Sequence, residues 1–372
     1  MLLCFLLFAA GCATSPRRPT GELPPDWDAA QDHPPAGEPA PVAQVTPPQV
    51  TLPPQPAESD IRPAPTGVRP LPSEIRPLPP EQTWLSLSRW AAERGFRAPH
   101  CLAVAPVASF SQSTTNGDLL VQEGSLAAYW DQLEFRLGFN PQFIGGQIFL
   151  HALDLQKNIE PLLQGFNGVA KSNRVIVIDP GHGGLNSGTR STANRGWEKE
   201  FTLDWAQRLA PLLERNGWRV FLTRSRDVDV SLPDRVAFAE THQAGLFLSL
   251  HFNSSGGGEN EAGLETYCLT PAGMPSSLTR GYNDDPDQLF PNNAFDTENL
   301  QYAIRLHRAL LEAGKTTDRG VRRARFLAVL RGQRRPAILI EGGYLSNPDE
   351  ARRIADPAYR QQLAEAVAKA LE

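Results

Sequence analysis

Three short apolar runs do most to restrict the folds open to this chain. Val175-Ile176-Val177-Ile178 leads into Asp179-Pro180-Gly181-His182-Gly183-Gly184, Leu246-Phe247-Leu248-Ser249-Leu250 leads into His251, and Ala337-Ile338-Leu339-Ile340 leads into Glu341-Gly342-Gly343. A strand with no polar face belongs to a sheet covered on both sides, the usual setting of parallel strands. Open α/β sheets hold ligands beyond their strand ends, and all three runs deliver an imidazole or a carboxylate there.

Between these runs the period changes to that of a helix. Phe201, Trp205, Leu209 and Leu212 recur on one face of a segment that begins at Glu198 and stops at Asn216-Gly217. Residues 219–222 and 264–269 read as strands. Residues 231–241 read as a helix with Pro233 near its start, and 297–313 as a helix that turns Leu300, Ile304 and Leu311 inward and ends at Gly314. Asn347-Pro348-Asp349-Glu350 predicts a helix start with a capping Asn, a first-turn Pro and Glu350 completing a capping box. The predicted fold class for 172–372 is therefore α/β, a mainly parallel sheet between helical layers. His242 and His307 fall within the helical segments and read as surface residues.

The first part of the chain has a different character. Twenty of its 34 prolines lie between positions 16 and 80. Residues 13–81 are polar and poor in aromatics, so little apolar surface offsets chain entropy and a disordered linker is predicted. Ile61-Arg62-Pro63-Ala64-Pro65, Val68-Arg69-Pro70-Leu71-Pro72 and Ile75-Arg76-Pro77-Leu78-Pro79 form an imperfect repeat suited to extended polyproline II. At about 3.1 Å per residue the whole of 13–81 has an upper reach on the order of 200 Å, enough for a tether.

Residues 1–12 are an apolar run ending in Gly11-Cys12, the length of a signal-peptide core and too short to span a bilayer. Ala9-Ala10-Gly11-Cys12 resembles a bacterial lipobox, which implies cleavage before Cys12 and a membrane-anchoring lipid on its sulfur. The other reading is an ordinary secretory signal with an incidental cysteine. Both place the protein in the cell envelope, and Ala13 rather than Asp after Cys12 points to the outer membrane by analogy with enteric lipoproteins.

Residues 82–170 predict a small α+β module: a helix near 84–95, strands at 119–121 and 147–150, and a helix at 154–163. Its pattern resembles the N-terminal domain shared with copper amine oxidase-like cell-wall proteins, and it carries no catalytic constellation. A wall-positioning role and a purely structural one both stay open. A net charge of -5, with one basic cluster at Arg322-Arg323-Ala324-Arg325, argues against a nucleic-acid partner. Cys101 and Cys268 could pair in an oxidising compartment, although two lone cysteines more often stay unpaired.

Two imidazoles and a carboxylate brought to one sheet edge make a metal hydrolase site. Each residue also has a plainer reading. His182 could be a hydrogen-bonded loop residue, Glu198 could favour a helix N-terminus, and Glu341 could be a buried ion-pair partner of Arg331 or Arg334.

Four motifs occur in order: Asp179-Pro180-Gly181-His182-Gly183-Gly184, Trp197-Glu198-Lys199, Ser249-Leu250-His251-Phe252-Asn253 and Ile340-Glu341-Gly342-Gly343-Tyr344-Leu345-Ser346-Asn347. Over about 200 residues, these resemble the zinc-dependent N-acetylmuramoyl-L-alanine amidases. The resemblance implies Zn2+ held by His182, Glu198 and His251, with Glu341 as general base; Glu200 is the competing carboxylate. It also implies a peptidoglycan substrate, cut between N-acetylmuramic acid and L-alanine. A zinc peptidase acting on stem peptides and a non-catalytic wall-binding scaffold are the alternatives. Some division amidases carry a helix that occludes the zinc until a partner moves it. Here the matching stretch, about 256–296, is rich in Gly, Pro and Asn and predicts a long loop beside an open groove. No activator protein can be named from the sequence.

Overall fold

The computed structural model describes residues 83–166, 168–170, 173–256 and 258–372. Cys12, the signal-like start and the Pro-rich stretch lie outside the described residues. Among those described, no helix is long and apolar enough to cross a membrane.

One eleven-stranded sheet organises the chain. At one end Arg219–Leu222, Val175–Pro180, Leu246–Asn253 and Ala337–Tyr344 lie side by side and pair in parallel. The two longest, Leu246–Asn253 and Ala337–Tyr344, are buried at all eight positions, which is why their sequences show no polar face. Ile176, Ile178, Leu248, Leu250, Ile338 and Ile340 share one core with Trp205, Leu209 and Leu213 of helix Glu198–Arg215. Val177, Phe247 and Leu339 face the other way, into a second core with Ala239, Phe326 and Leu330. The same alternation puts Asp179, Ser249, His251 and Glu341 on this second face, nearer the strand ends.

Beyond the parallel part the sheet becomes mixed. Leu264–Cys268 runs antiparallel to Ala337–Tyr344 and parallel to Asp318–Arg323. The latter pairs through Val321 and Phe135 with Leu133–Arg136, the first strand of an antiparallel meander that runs out to His100–Ala103. The 133–136 strand is fixed there by Asp318, whose Oδ2 accepts from the Glu134 N–H at 2.9 Å. A separate three-stranded sheet is built from Trp84–Ser86, Gln147–His151 and Gln142–Ile144. Asp154 joins the two parts, accepting from the N–H groups of Gly138 (2.7 Å) and Phe139 (3.0 Å) and from Asn158 (2.8 Å). Burial pushes its carboxyl up to about 6, against those hydrogen bonds and the nearby Arg323.

Several details differ from the sequence expectations. His307 is fully buried, with Nδ1 2.9 Å from Thr266 Oγ1 and Nε2 2.9 Å from Asp318 Oδ1. Helix Asp296–Gly314 packs on the sheet and on helix Pro357–Ala370, so more of it is covered than its Leu/Ile stripe indicates. His242 is half-buried, its ring centroid 4.1 Å from those of both Phe221 and Phe238. Asn347 caps helix Pro348–Ala355 through the N–H groups of Asp349 and Glu350. Glu350 does not close the predicted capping box; its carboxylate accepts instead from the N–H groups of Gly263 and Tyr344. Cys101 and Cys268 are both free, the first exposed and the second buried. Of the stretch 256–296 expected as a long loop, residues 269–290 form neither helix nor strand, whereas Leu264–Cys268 is a strand and Pro291–Phe295 a 3-10 turn.

Candidate metal centre

The Val175–Pro180 strand runs into a sharply bent loop. His182 adopts φ 62° and Gly183 φ 133°. A non-glycine residue in the left-handed region is uncommon and needs support from its surroundings. Two buried guanidinium groups give it. Arg235 donates to the carbonyls of Pro180 (3.0 Å) and His182 (2.9 Å), and Arg224 to those of Pro180 (3.0 Å) and Gly181 (2.8 Å). Asp179 anchors Arg235 at 2.5 Å and also accepts from Thr223 Oγ1 (2.6 Å) and Ser249 Oγ (2.8 Å). Burial would raise the Asp179 carboxyl, but Arg235 and the Thr223 hydroxyl hold it below the usual range.

Glu198 opens helix Glu198–Arg215 and is 2% exposed. Its Oε1 lies 3.0 Å from His182 Nε2 and 3.0 Å from His251 Nδ1, and it accepts from the Phe252 N–H at 3.0 Å. Oε2 accepts from the Thr189 N–H at 3.0 Å. Glu200 turns away from the site, its carboxylate accepting from the Trp197 N–H at 3.1 Å as part of the helix cap. Close packing depends on missing side chains. A Cβ on Gly181 would come within 2.3 Å of the His251 ring, and one on Gly188 within 2.6 Å of Glu198 Oε2.

Asn186 fixes the tautomer of His182. Its Oδ1 accepts from the Gly188 N–H at 3.3 Å and lies 2.7 Å from His182 Nδ1, so Nδ1 is the donor. That turns His182 Nε2, which is buried, toward the Glu198 carboxylate oxygen. A buried nitrogen and a carboxylate oxygen at that separation need a proton or a metal cation between them. Burial by itself lowers the His182 imidazole, yet Glu198 and Asn186 raise it above its ordinary value. His251 is lowered, chiefly by burial. Burial would raise Glu198, but the two imidazoles hold it well below the carboxylate range. One ligand atom from each of His182, Glu198 and His251 falls in a group within 4.8 Å. Donors about 2.1 Å from a single tetrahedral ion stand about 3.4 Å apart, so a small ring rotation lets this set close on a metal.

Glu341 sits one strand over, in register with His251 on one side and Glu265 on the other. It is 2% exposed, and its Oε2 accepts no hydrogen bond. Neither suggested arginine neutralises it: Arg331 donates to Tyr282 Oη at 3.1 Å, and Arg334 is exposed. Burial pushes the Glu341 carboxyl well up, and Glu198 and Glu265 add to this while Arg280 opposes it. The structure thus brings together His182, Glu198, His251 and Glu341, all named from sequence. Sequence reasoning missed Asn186, Asp179, Arg224 and Arg235. Asp179, a carboxylate closing an apolar strand, was the available signal; nothing local marks the two arginines.

Comparison with known proteins fixes the lineage. A family model described as N-acetylmuramoyl-L-alanine amidase matches residues 176–372, more than half of the chain. The chain belongs to the N-acetylmuramoyl-L-alanine amidase family. It is a peptidoglycan amidase. AmiA of Escherichia coli K12 is 29% identical over 238 residues, covering 56% of this chain and 81% of AmiA. AmiC of Escherichia coli O6:H1 is 28% identical over 293 residues, covering 72% of this chain and 66% of AmiC. The sporulation-specific amidase of Bacillus subtilis is 33% identical over 199 residues, covering 53% of this chain and 66% of its own. Among solved structures, AmiC2 of Nostoc punctiforme aligns with a TM-score of 0.44 at 30% identity, covering 55% of this chain and 97% of AmiC2.

Proposed function

We propose that this amidase is a zinc enzyme in which His182, Glu198 and His251 hold the ion and Glu341 moves the proton. The observation that carries this is the convergence of one ligand atom each from His182, Glu198 and His251, within 4.8 Å of one another in a buried site. Two nitrogens and a carboxylate oxygen are a donor set suited to catalytic zinc. The chemistry zinc supplies there is Lewis-acid activation of water and of the scissile carbonyl.

The chain's own residues do the rest. Asn186 keeps the proton of His182 on Nδ1, and Arg224 and Arg235 hold the loop so that Nε2 stays aimed at Glu198. Glu341, ionised, accepts a proton from the attacking water and returns it to the amine that leaves as the bond to L-alanine breaks. Burial, with Glu198 and Glu265 nearby, raises its proton affinity, which suits a group that must take up and release a proton in one turnover.

In the rest of the chain, residues 1–12 are a signal ending in a lipidated Cys12, 13–81 a tether, 82–170 a positioning module and 172–372 the catalytic region. The enzyme then works from the outer membrane on the adjacent wall. The lipobox-like Ala9-Ala10-Gly11-Cys12 and the Pro-rich composition support that placement.

Glu341→Gln tests the assignment: hydrolysis of purified wall should vanish while bound zinc persists. Products of the parent enzyme should be free muramyl lactyl groups and peptides beginning with L-alanine. New amino-acid termini alone would favour a stem-peptide peptidase instead.

A further inference from the structure

Residues 183–186 form a tight turn beside the metal centre. Gly183 and Asn186 exchange backbone hydrogen bonds of 2.8 and 3.1 Å, and Asn186 at its base reaches the His182 ring at 2.7 Å. The tip is held from outside. Gly184 N–H donates to Asp227 at 2.7 Å and Leu185 N–H to Asp229 at 2.9 Å. Lys199 Nζ ties the Gly184 carbonyl (2.8 Å) to Asp227 (2.7 Å). Gly184 takes φ 59°, and a Cβ there would stand 2.3 Å from the Asp229 carboxyl carbon, so the turn has little room to shift.

This braced turn presents Leu185 to solvent at 91% exposure. The other exposed large hydrophobics among the described residues are Leu102, Val104, Val107, Ile144 and Phe166, all before residue 167; in the described part of 173–372, Leu185 stands alone. The braced backbone holds this isobutyl group in water three residues from a candidate ligand, on the turn whose Asn186 touches the His182 ring. The occupant follows from the adjoining chemistry. The scissile amide joins a lactyl group to L-alanine, and each carries a methyl beside the reacting carbon or nitrogen.

We propose that Leu185 is a specificity-determining substrate contact, packing on the methyl groups that flank the scissile lactyl–alanine amide. The inference rests on the amidase reading of the site and names which part of the substrate that turn selects.

The test uses the full chain in a Glu341→Gln background, so that a soluble muramyl-L-alanyl peptide can be bound without turnover. Leu185→Ser should weaken its Kd about tenfold, the effect of uncovering most of one leucine side chain. The parent background should prefer the alanyl ligand over its glycyl analogue, and Leu185→Ser should erase most of that preference. Leu102→Ser, at a leucine 53% exposed far along the meander, should leave both values unchanged, and the Tm of Leu185→Ser should match its background. With Glu341 restored, Leu185→Ser should raise KM and leave kcat within about twofold. An alanyl Kd within twofold of the background, or a glycyl preference untouched by the substitution, overturns the proposal, including the case where a second protein covers Leu185. If the Glu341→Gln background cleaves its ligand, the base assignment fails instead, whatever the Leu185 ratio.

Discussion

Glu198 touches His251 and Glu341 is in register with it on the next strand, both equally buried, and their surroundings pull them apart. Glu198 is met by two imidazoles and by the N–H groups of Phe252 and Thr189, and these hold its carboxyl well below the ordinary range against the effect of burial. Glu341 is offered no hydrogen bond at Oε2, and burial, Glu198 and Glu265 all push it up. One side of the edge keeps a permanent negative charge, as a ligand must. The other makes that charge costly, as befits a carboxylate that exchanges protons. The division of labour lies in what surrounds each carboxylate rather than in residue type.

The largest effect should come from the permanent-charge side. Glu198→Ala should abolish both metal binding and hydrolysis, read by metal analysis and a wall-digestion assay. Full zinc content in that protein would mean that the two sides are not distinct. Glu341→Gln should cost about 10²–10⁴ in kcat with zinc stoichiometry unchanged. Asn186→Ala frees the His182 tautomer and should weaken metal affinity about 10–100-fold, measured by competition with a chelator. Arg235→Ala leaves Asp179 buried without its cation; by analogy with other broken buried pairs it should destabilise the fold by about 3–5 kcal/mol, seen in denaturant unfolding.

The smallest effect is on pH dependence. Glu341 acts as base only when ionised, and its carboxyl is raised, so kcat/KM should climb with pH through a limb above the ordinary Glu value of about 4.3. Arg280 opposes that rise, so Arg280→Gln should move the limb to still higher pH. A limb that stays in place or moves down would remove Arg280 from the base's surroundings.

What the sequence revealed was what is local. Val175-Ile176-Val177-Ile178 and Ala337-Ile338-Leu339-Ile340 have no polar side because both faces of their strands are covered, and helix Glu198–Arg215 shows its buried stripe at Phe201, Trp205 and Leu209. Motif order added the four residues that gather at the edge. Contacts between distant segments left no such trace. Arg235 reaches Asp179 from 56 positions away, and Asp318 holds Glu134 from 184 away, so neither the loop brace nor the seam between meander and parallel strands has a period or a motif. His307 misled for the same reason: its partners Thr266 and Asp318 sit on strands that helical spacing does not describe.

Zinc content and wall hydrolysis measured together on the parent, Glu198→Ala and Glu341→Gln proteins, before and after chelation and refilling, put the proposed separation to its most direct trial. The expected pattern is one zinc per parent chain with activity lost on chelation and regained on refilling, neither metal nor activity in Glu198→Ala, and a full complement of zinc without activity in Glu341→Gln. A parent chain that digests wall fully after its metal has been stripped, or a Glu341→Gln protein that keeps parental activity, would contradict it.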